Sequence, residues 1–222
     1  MDGTDRQSET VISLADRLEH YRGRLPSTCQ LLAVSKGQPV ERIREAVACG
    51  QASFGESRLQ EAVAKQEALT DLPPLDWHFI GRLQANKVRS ILRHFSTIHS
   101  LDSLPMAERL NRIAREEATT PRVFLQVKLR PDPNKTGFSA EDLREAWPAL
   151  QRLEALDLVG LMTMAPLELN LEERKALFEG CRALAVELGL AELSMGMSGD
   201  WPEAVKAGST WIRLGSSLFG SR

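Results

Sequence analysis

The stretch Leu31-Leu32-Ala33-Val34-Ser35-Lys36-Gly37 governs how its surroundings are read. Four apolar residues run without a break into Ser, Lys and Gly. An uninterrupted short apolar run is the pattern of a strand covered on both faces, as in a parallel sheet. Lys36 then stands at the carboxyl end of that strand, where α/β folds bind ligands. A helical segment, residues 39–49, follows at once. A lysine held by a rigid strand in a pocket can lose its proton by desolvation and attack a carbonyl. The plainer alternative is a solvated lysine that closes a strand.

Outward from this stretch the chain alternates. Val11, Leu14, Ala15 and Leu18 predict a leading helix over residues 10–21. Further strands are expected at residues 52–55, 77–81, 97–100, 123–127, 158–162, 192–195 and 210–214. Helices are expected at residues 57–68, 84–95, 104–118, 139–153, 171–188 and 201–207. Strands alternating with helices at this spacing argue a parallel sheet with crossover helices. Eight such units close into a (β/α)8 barrel, here one domain over residues 1–222 with an extra N-terminal helix. An open doubly wound sheet is the alternative if one of the short strands at 52–55, 97–100 or 192–195 fails to form.

The 222 residues allow one sizeable core or two small ones. Basic and acidic residues are mixed and nearly cancel, at a formal −2. No basic block or aromatic–basic interleaving marks a nucleic-acid surface. The first nine residues are polar and acidic, which argues against a secretory signal. No apolar run is long enough to span a bilayer. Cys29, Cys49 and Cys181 match neither a zinc spacing nor a disulfide framework. Reduced thiols in a cytoplasmic protein are the expectation. The four histidines carry no metal-ligand spacing.

Two glycine-bearing turns lie near the C-terminus: Met195-Gly196-Met197-Ser198-Gly199-Asp200 and Leu214-Gly215-Ser216-Ser217-Leu218-Phe219-Gly220. Glycine lets a backbone approach a ligand closely, and helix amino termini offer free N–H groups to an anion. In barrels, phosphate often sits between the turns after strands seven and eight. Ser198 and Ser216 add hydroxyl donors, unless Ser198 is an ordinary helix N-cap. Neither turn is a Walker loop or a dinucleotide fingerprint. Arg213 ends the eighth strand, which adjoins the first in a closed barrel, so it is expected near Lys36. Such a neighbour disfavours the ammonium form of the lysine; a rim charge paired to a loop carboxylate is the alternative.

Taken in order, Ala33-Val34-Ser35-Lys36, Phe54-Gly55-Glu56, Trp77-His78-Phe79-Ile80-Gly81, Leu83-Gln84-Ala85-Asn86-Lys87, Gly160-Leu161-Met162, Met195-Gly196-Met197-Ser198 and Arg213-Leu214-Gly215 resemble the pyridoxal phosphate homeostasis proteins, the YggS/PROSC-like family. The resemblance covers residues 31–219. It implies a single barrel like the N-terminal domain of alanine racemase, binding pyridoxal 5′-phosphate (PLP). It implies a Schiff base between PLP and Lys36, phosphate held by Ser198, Gly215 and Ser216, and Arg213 facing the pyridine nitrogen. His78, between Trp77 and Phe79, is a candidate to line the mouth or a hydrogen-bonded core histidine. Met162, closing strand six, touches the cofactor ring or packs in the core. Ser57 stands where the family usually has Asn, and Gly199 where many members have Asp.

PLP enzymes draw carbanion charge into a protonated pyridine ring. Arginine does not accept a proton in practice, so an arginine partner leaves the electron sink weak. Alanine racemase resembles this arrangement but adds a tyrosine base from a further C-terminal domain. Here the sole tyrosine is Tyr21, in the leading helix, and the chain stops soon after strand eight. A non-catalytic PLP carrier is therefore the favoured reading. An active amino-acid racemase and an aldolase-type barrel without PLP stay open as alternatives. Lys135, in a turn rich in Pro, Asn and Gly, is a second lysine of interest, as a gate, a transfer site or a solvated loop residue. The basic face carrying Lys87, Arg89 and Arg93 is expected to be solvated. PLP-requiring apo-enzymes or a regulatory protein are conceivable partners, and a small complete barrel is expected as a monomer.

Overall fold

Strand β1 (Gln30–Val34) lies parallel between β2 (Ser53–Glu56) and β8 (Trp211–Leu214). That double pairing closes the sheet. In this computed structural model, which describes residues 12–130 and 136–220, the barrel order is β1 to β8 in sequence. The intervening strands are β3 (Asp76–Phe79), β4 (Thr97–Leu101), β5 (Arg122–Gln126), β6 (Asp157–Met162) and β7 (Glu192–Ser194). The three short strands that could have failed are all present. The weakest is β7, three residues long and paired to β8 through Ser194 and Trp211.

Side-chain parity explains why the first strand is apolar without interruption. Leu31 and Ala33 pack outward with Ile212 and Leu214 into the layer shared with the helices. Leu32 points into the barrel, where it joins Phe124, Met162 and Trp211 in a separate interior cluster. Each such fully covered large side chain stabilises the fold by roughly 1.5–3 kcal/mol. The interior is not wholly apolar: His78, His99, Ser194 and Arg213 are buried there too.

The surrounding helices are α1 (Leu14–Arg22), α2 (Val40–Ala48), α3 (Leu59–Ala68), α4 (Val88–His94), α5 (Leu104–Glu116), α6 (Ala140–Leu150), α7 (Leu171–Glu187), α8 (Trp201–Lys206) and α9 (Ser216–Phe219). Helix α1 starts at Leu14 because Ser13 and Asp16 form a reciprocal capping box. The helix expected over residues 84–95 begins at Val88 instead. Its first turn is replaced by a bend closed by Lys87 N–H donating to the Gln84 carbonyl at 2.8 Å. Arg89 and Arg93 on this helix are tied to Glu116 and Glu117 at the end of α5. Helix α9 was not expected as a helix; it fills the second glycine-bearing turn. Among the described residues no helix is long and apolar enough to cross a membrane.

Candidate cofactor site

Residues 32, 34 and 36 share one parity, so the strand aims Lys36 toward the barrel mouth beside Val34. Ser35 has the opposite parity and is fully buried in the helix layer. There a buried polar clasp holds the turn. Ser35 Oγ donates to Glu56 Oε1 at 2.6 Å. From α3, Lys65 Nζ donates to the Ser35 carbonyl and to Glu56 Oε1, each at 2.7 Å, and to Glu61 Oε1 at 2.6 Å. Glu61 also accepts the backbone N–H of Gly37. The residues on either side of Lys36 are thus fixed from beneath. Burial raises the Glu56 carboxyl above its ordinary range, against the opposing pull of Lys65 and Ser35. Glu61 is desolvated too, but Lys65, the Gly37 amide and Arg58 together hold its carboxyl below the usual value.

The two glycine-bearing turns meet at the same mouth. A cavity of about 390 Å³ is lined by Val34, Lys36, Gln38, Gly215, Ser216 and Gly220. That is within the size range of small-molecule sites. Ser217 Oγ donates to Ser198 Oγ at 2.8 Å, which joins the turn after β7 to the turn after β8. Ser198 is not the helix cap: Asp200 holds that position, and accepts the Met197 N–H at 2.6 Å. Burial raises the Asp200 carboxyl, opposed by that amide and by the charge of Arg213. At Gly196, φ is 93° and an added Cβ would lie 2.7 Å from Ala204 Cβ, so this tight turn requires glycine. The first amides of α9 have no acceptor within their own helix, as at any helix start. Hydroxyls, backbone amides and one amine therefore converge on the cavity, a donor set suited to a phosphorylated aldehyde.

Arg213 pairs in register with Leu32, one strand from Lys36. It is buried in the interior rather than standing at the rim. Its guanidinium donates to the Ser194 carbonyl at 2.6 Å, to Ser194 Oγ at 2.7 Å and to the Thr163 carbonyl at 3.0 Å. Burial pushes it down to about 10, still charged at neutral pH, with Asp200 and Cys181 opposing. Met162 belongs to the interior cluster. His78 is fully buried, bonded to His99 at 2.8 Å and to Asp76 at 2.6 Å. Both stand inside the barrel, outside the set of side chains that line the cavity. Lys135 lies outside the described residues.

This architecture has close counterparts. Residues 11–222 match the family model of the alanine racemase N-terminal domain. The chain is 47% identical over 204 residues to the pyridoxal phosphate homeostasis protein of Synechocystis sp., covering 89% of this chain and 94% of that one. The chain belongs to the pyridoxal phosphate homeostasis protein family. Its relative in Pseudomonas aeruginosa is 42% identical over 220 residues, covering 97% and 95%. PipY of Synechococcus elongatus, solved with PLP bound, is 52% identical with a TM-score of 0.91, over 94% of this chain and 100% of that one. Alanine racemase of Clostridium difficile shares the fold at 16% identity, TM-score 0.78, over 94% of this chain and 56% of that one. The family and barrel expected from the motifs are therefore those found.

Three participants escaped the sequence reading. Lys65 looks like any helix lysine until α3 folds over β1. Ser217, beside Ser216, supplies the bond between the turns. His99 lies in a strand read from its apolar neighbours.

Proposed function

We propose that this chain holds PLP at the mouth of its barrel, covalently through Lys36, and serves intracellular PLP homeostasis without efficient amino-acid turnover. The observation that carries this is that Lys36, Gly215 and Ser216, from opposite ends of the chain, line one cavity. PipY, a relative with 52% identity, has been solved with PLP bound. When bound, PLP supplies an aldehyde for the Lys36 amine and an electron-accepting ring. Ser216, the Gly215 turn and Ser198 would hold the phosphate through hydroxyl and backbone donors. Arg213 would face the pyridine nitrogen; a guanidinium keeps its protons, so that nitrogen stays unprotonated and carbanion chemistry is poorly supported. Met162, in the interior cluster with Leu32, would form part of the floor beneath the ring.

The lack of efficient turnover rests on the position of the sole tyrosine. Tyr21 lies on α1, its ring edge-on to Trp201 at 5.7 Å, outside the barrel. It is badly placed to act as a second base opposite Lys36. Release of the cofactor to PLP-requiring apo-enzymes is the partner relation that follows from this reading.

Borohydride reduction of PLP-loaded protein and peptide mapping test the covalent link. A pyridoxyl mass on the Lys36 peptide is expected, with loss of the imine absorbance in Lys36→Ala. An unmodified Lys36 peptide overturns the assignment. Racemisation or other turnover of an amino acid at ordinary enzyme rates overturns the non-catalytic reading.

A further inference from the structure

A line of side-chain hydrogen bonds crosses the barrel interior from its N-terminal rim to Arg213. Asp76, at the start of β3, is 41% exposed in its side chain. Its Oδ2 meets His78 Nε2 at 2.6 Å. His78 Nδ1 meets His99 Nε2 at 2.8 Å. His99 Nδ1 meets Ser194 Oγ at 2.8 Å. Ser194 Oγ accepts from Arg213 at 2.7 Å. Five residues from four strands, β3, β4, β7 and β8, thus form a continuous path, and its three middle members are fully buried. Apolar packing fixes the rings: His99 stacks on Phe124 at 4.4 Å and His78 lies 4.8 Å from Trp211.

The chemistry of the donors gives this path one direction. A guanidinium can only donate. Ser194 Oγ therefore accepts from Arg213. At the other end the Asp76 carboxylate can only accept, so it takes the His78 Nε2 proton, each neutral ring is left bare at Nδ1, and the Ser194 proton goes to His99 Nδ1. A neutral imidazole that accepts at one nitrogen donates at the other. His99 then donates from Nε2 to His78 Nδ1, and His78 donates from Nε2 to the Asp76 carboxylate. Every bond runs from the buried cation to the rim anion. Desolvation, with the nearby charges of Arg213 and Arg122, pushes His99 well below its ordinary value, which keeps that ring neutral.

We propose that Ser194, His99, His78 and Asp76 are positioning residues that hold the Arg213 guanidinium in the orientation required at the cofactor ring, the carboxylate at the rim setting the direction of the chain. This rests on the reading that Arg213 faces the ring of PLP. Its consequence is long-range: a change at the rim alters the mouth. If a proton enters at His78, both its nitrogens become donors. His99 must then accept at Nε2 and donate at Nδ1, and Ser194 Oγ receives two donors, His99 and Arg213. Its own proton loses its acceptor, and the hold on Arg213 weakens. The charged groups that face this path are Asp76 on β3, Arg122 on β5, Glu192 on β7 and Arg213 on β8. Arg122 is paired with Glu192, which also accepts from Trp211 Nε1 at 3.1 Å, so these two charges largely offset each other.

Two measurements test the proposal. The first uses ligand-free protein with 15N-labelled histidine. In wild type, His99 is expected to be protonated at Nε2 and bare at Nδ1. Asp76→Asn, whose amide can either donate or accept, is expected to mix the tautomers of His99, a ring that Asp76 does not touch. A His99 protonated at Nδ1 in wild type, or an unchanged His99 in a folded Asp76→Asn protein, overturns the proposal. The second follows visible absorbance of PLP-loaded protein with pH, and PLP loss on dilution. Asp76→Asn and, should that fail to fold, Ser194→Ala are expected to lose PLP roughly 3- to 10-fold faster, the net worth of about one ordinary hydrogen bond. Unchanged spectra and release in both variants overturn the proposal and leave PLP binding intact. A wild type that takes up no PLP overturns the functional reading, and the His99 tautomer then decides the chain on its own.

Discussion

Lys65→Met is the sharpest test of how the Lys36 turn is held. The substitution keeps length and volume but removes an amine that makes three hydrogen bonds, at 2.7, 2.7 and 2.6 Å. Glu56 has no exposed surface, and its Oε2 already lacks a partner. Losing Lys65 strands a buried carboxylate, which costs about 3–5 kcal/mol. The Glu61 arm, with 24% of its side chain exposed, adds no more than about 0.5 kcal/mol. With an m-value near 3 kcal/mol/M, the urea midpoint falls by roughly 1–1.7 M. Glu56→Gln in the Lys65→Met background removes the stranded charge and should recover about 2 kcal/mol, a coupling of the size expected between contacting residues. The pH dependence has a definite sign. Without Lys65 the folded-state pKa of Glu56 rises further above its unfolded value. The variant's deficit is therefore smallest in acid and grows as pH rises through that value. PLP binding should weaken in parallel, since the Ser35 carbonyl loses its anchor. A midpoint within about 0.3 M of wild type, or a double variant no better than the single one, refutes the clasp; shifts that small correspond to under about 1 kcal/mol.

Gly81→Ala places a Cβ 2.1 Å from the Ser57 carbonyl oxygen, and Gly160→Ala places one 2.0 Å from that of Glu192. These are backbone atoms that cannot swing aside, so each variant should lose at least about 1–3 kcal/mol, or a Tm lower by roughly 2–12 °C. Gly199→Ala, with nothing within 4 Å of the new carbon, is the control and should melt with wild type. Burial pushes the Cys29 thiol up to about 11 and that of Cys181 up to about 12. In native protein at pH 7.5 a disulfide reagent should therefore titrate Cys49 alone, with all three thiols reacting in denaturant. Glu61 is held below its ordinary value of 4.5, so its contribution is present above that value and lost as pH falls through the folded one. The stability gap between wild type and Glu61→Gln should be flat near neutrality and close in acid; a gap that widens toward pH 3 contradicts the assignment.

Much of the fold was legible because parallel barrels write it locally. The run Leu31–Val34 had to be covered on both faces, and it is, by the helix layer and by the interior cluster. The turns after β7 and β8 announced themselves through glycine and serine. What stayed hidden was set by partners distant in sequence. Lys65 reaches Ser35 across 30 positions, and His99 reaches Ser194 across 95. Periodicity carries no information about such meetings. A lysine on an amphipathic helix reads as solvated, and a histidine in an apolar strand reads as filler. One signal was available: His78 and His99 fall within adjacent strands, and a small barrel brings inward positions of neighbouring strands into contact. Helix α9 is four residues long, too short for a helical period to register.

The mouth is anchored from both sides of one seam. Lys36 is fixed from the helix layer, where Lys65, Glu56 and Ser35 bind beneath it. Arg213 is fixed from the interior, where Ser194, itself held by the histidines, and the Thr163 carbonyl bind it. The two networks lie on opposite faces of the sheet, the clasp at β1 and β2 and the interior line on β3, β4, β7 and β8, and they meet where β1 and β8 are bonded in register from Gln30–Trp211 to Ala33–Leu214. A sheet that carries a polar network on each face must bury charge twice, which hydrophobic packing alone would not select. The expense is understandable if the two networks aim one amine and one guanidinium at a single small ligand, because loose placement of either group weakens its grip on that ligand. A barrel built for stability alone would put leucine at positions 65 and 99. That this one does not is the strongest physical argument that its mouth, and not its scaffold, determined those residues.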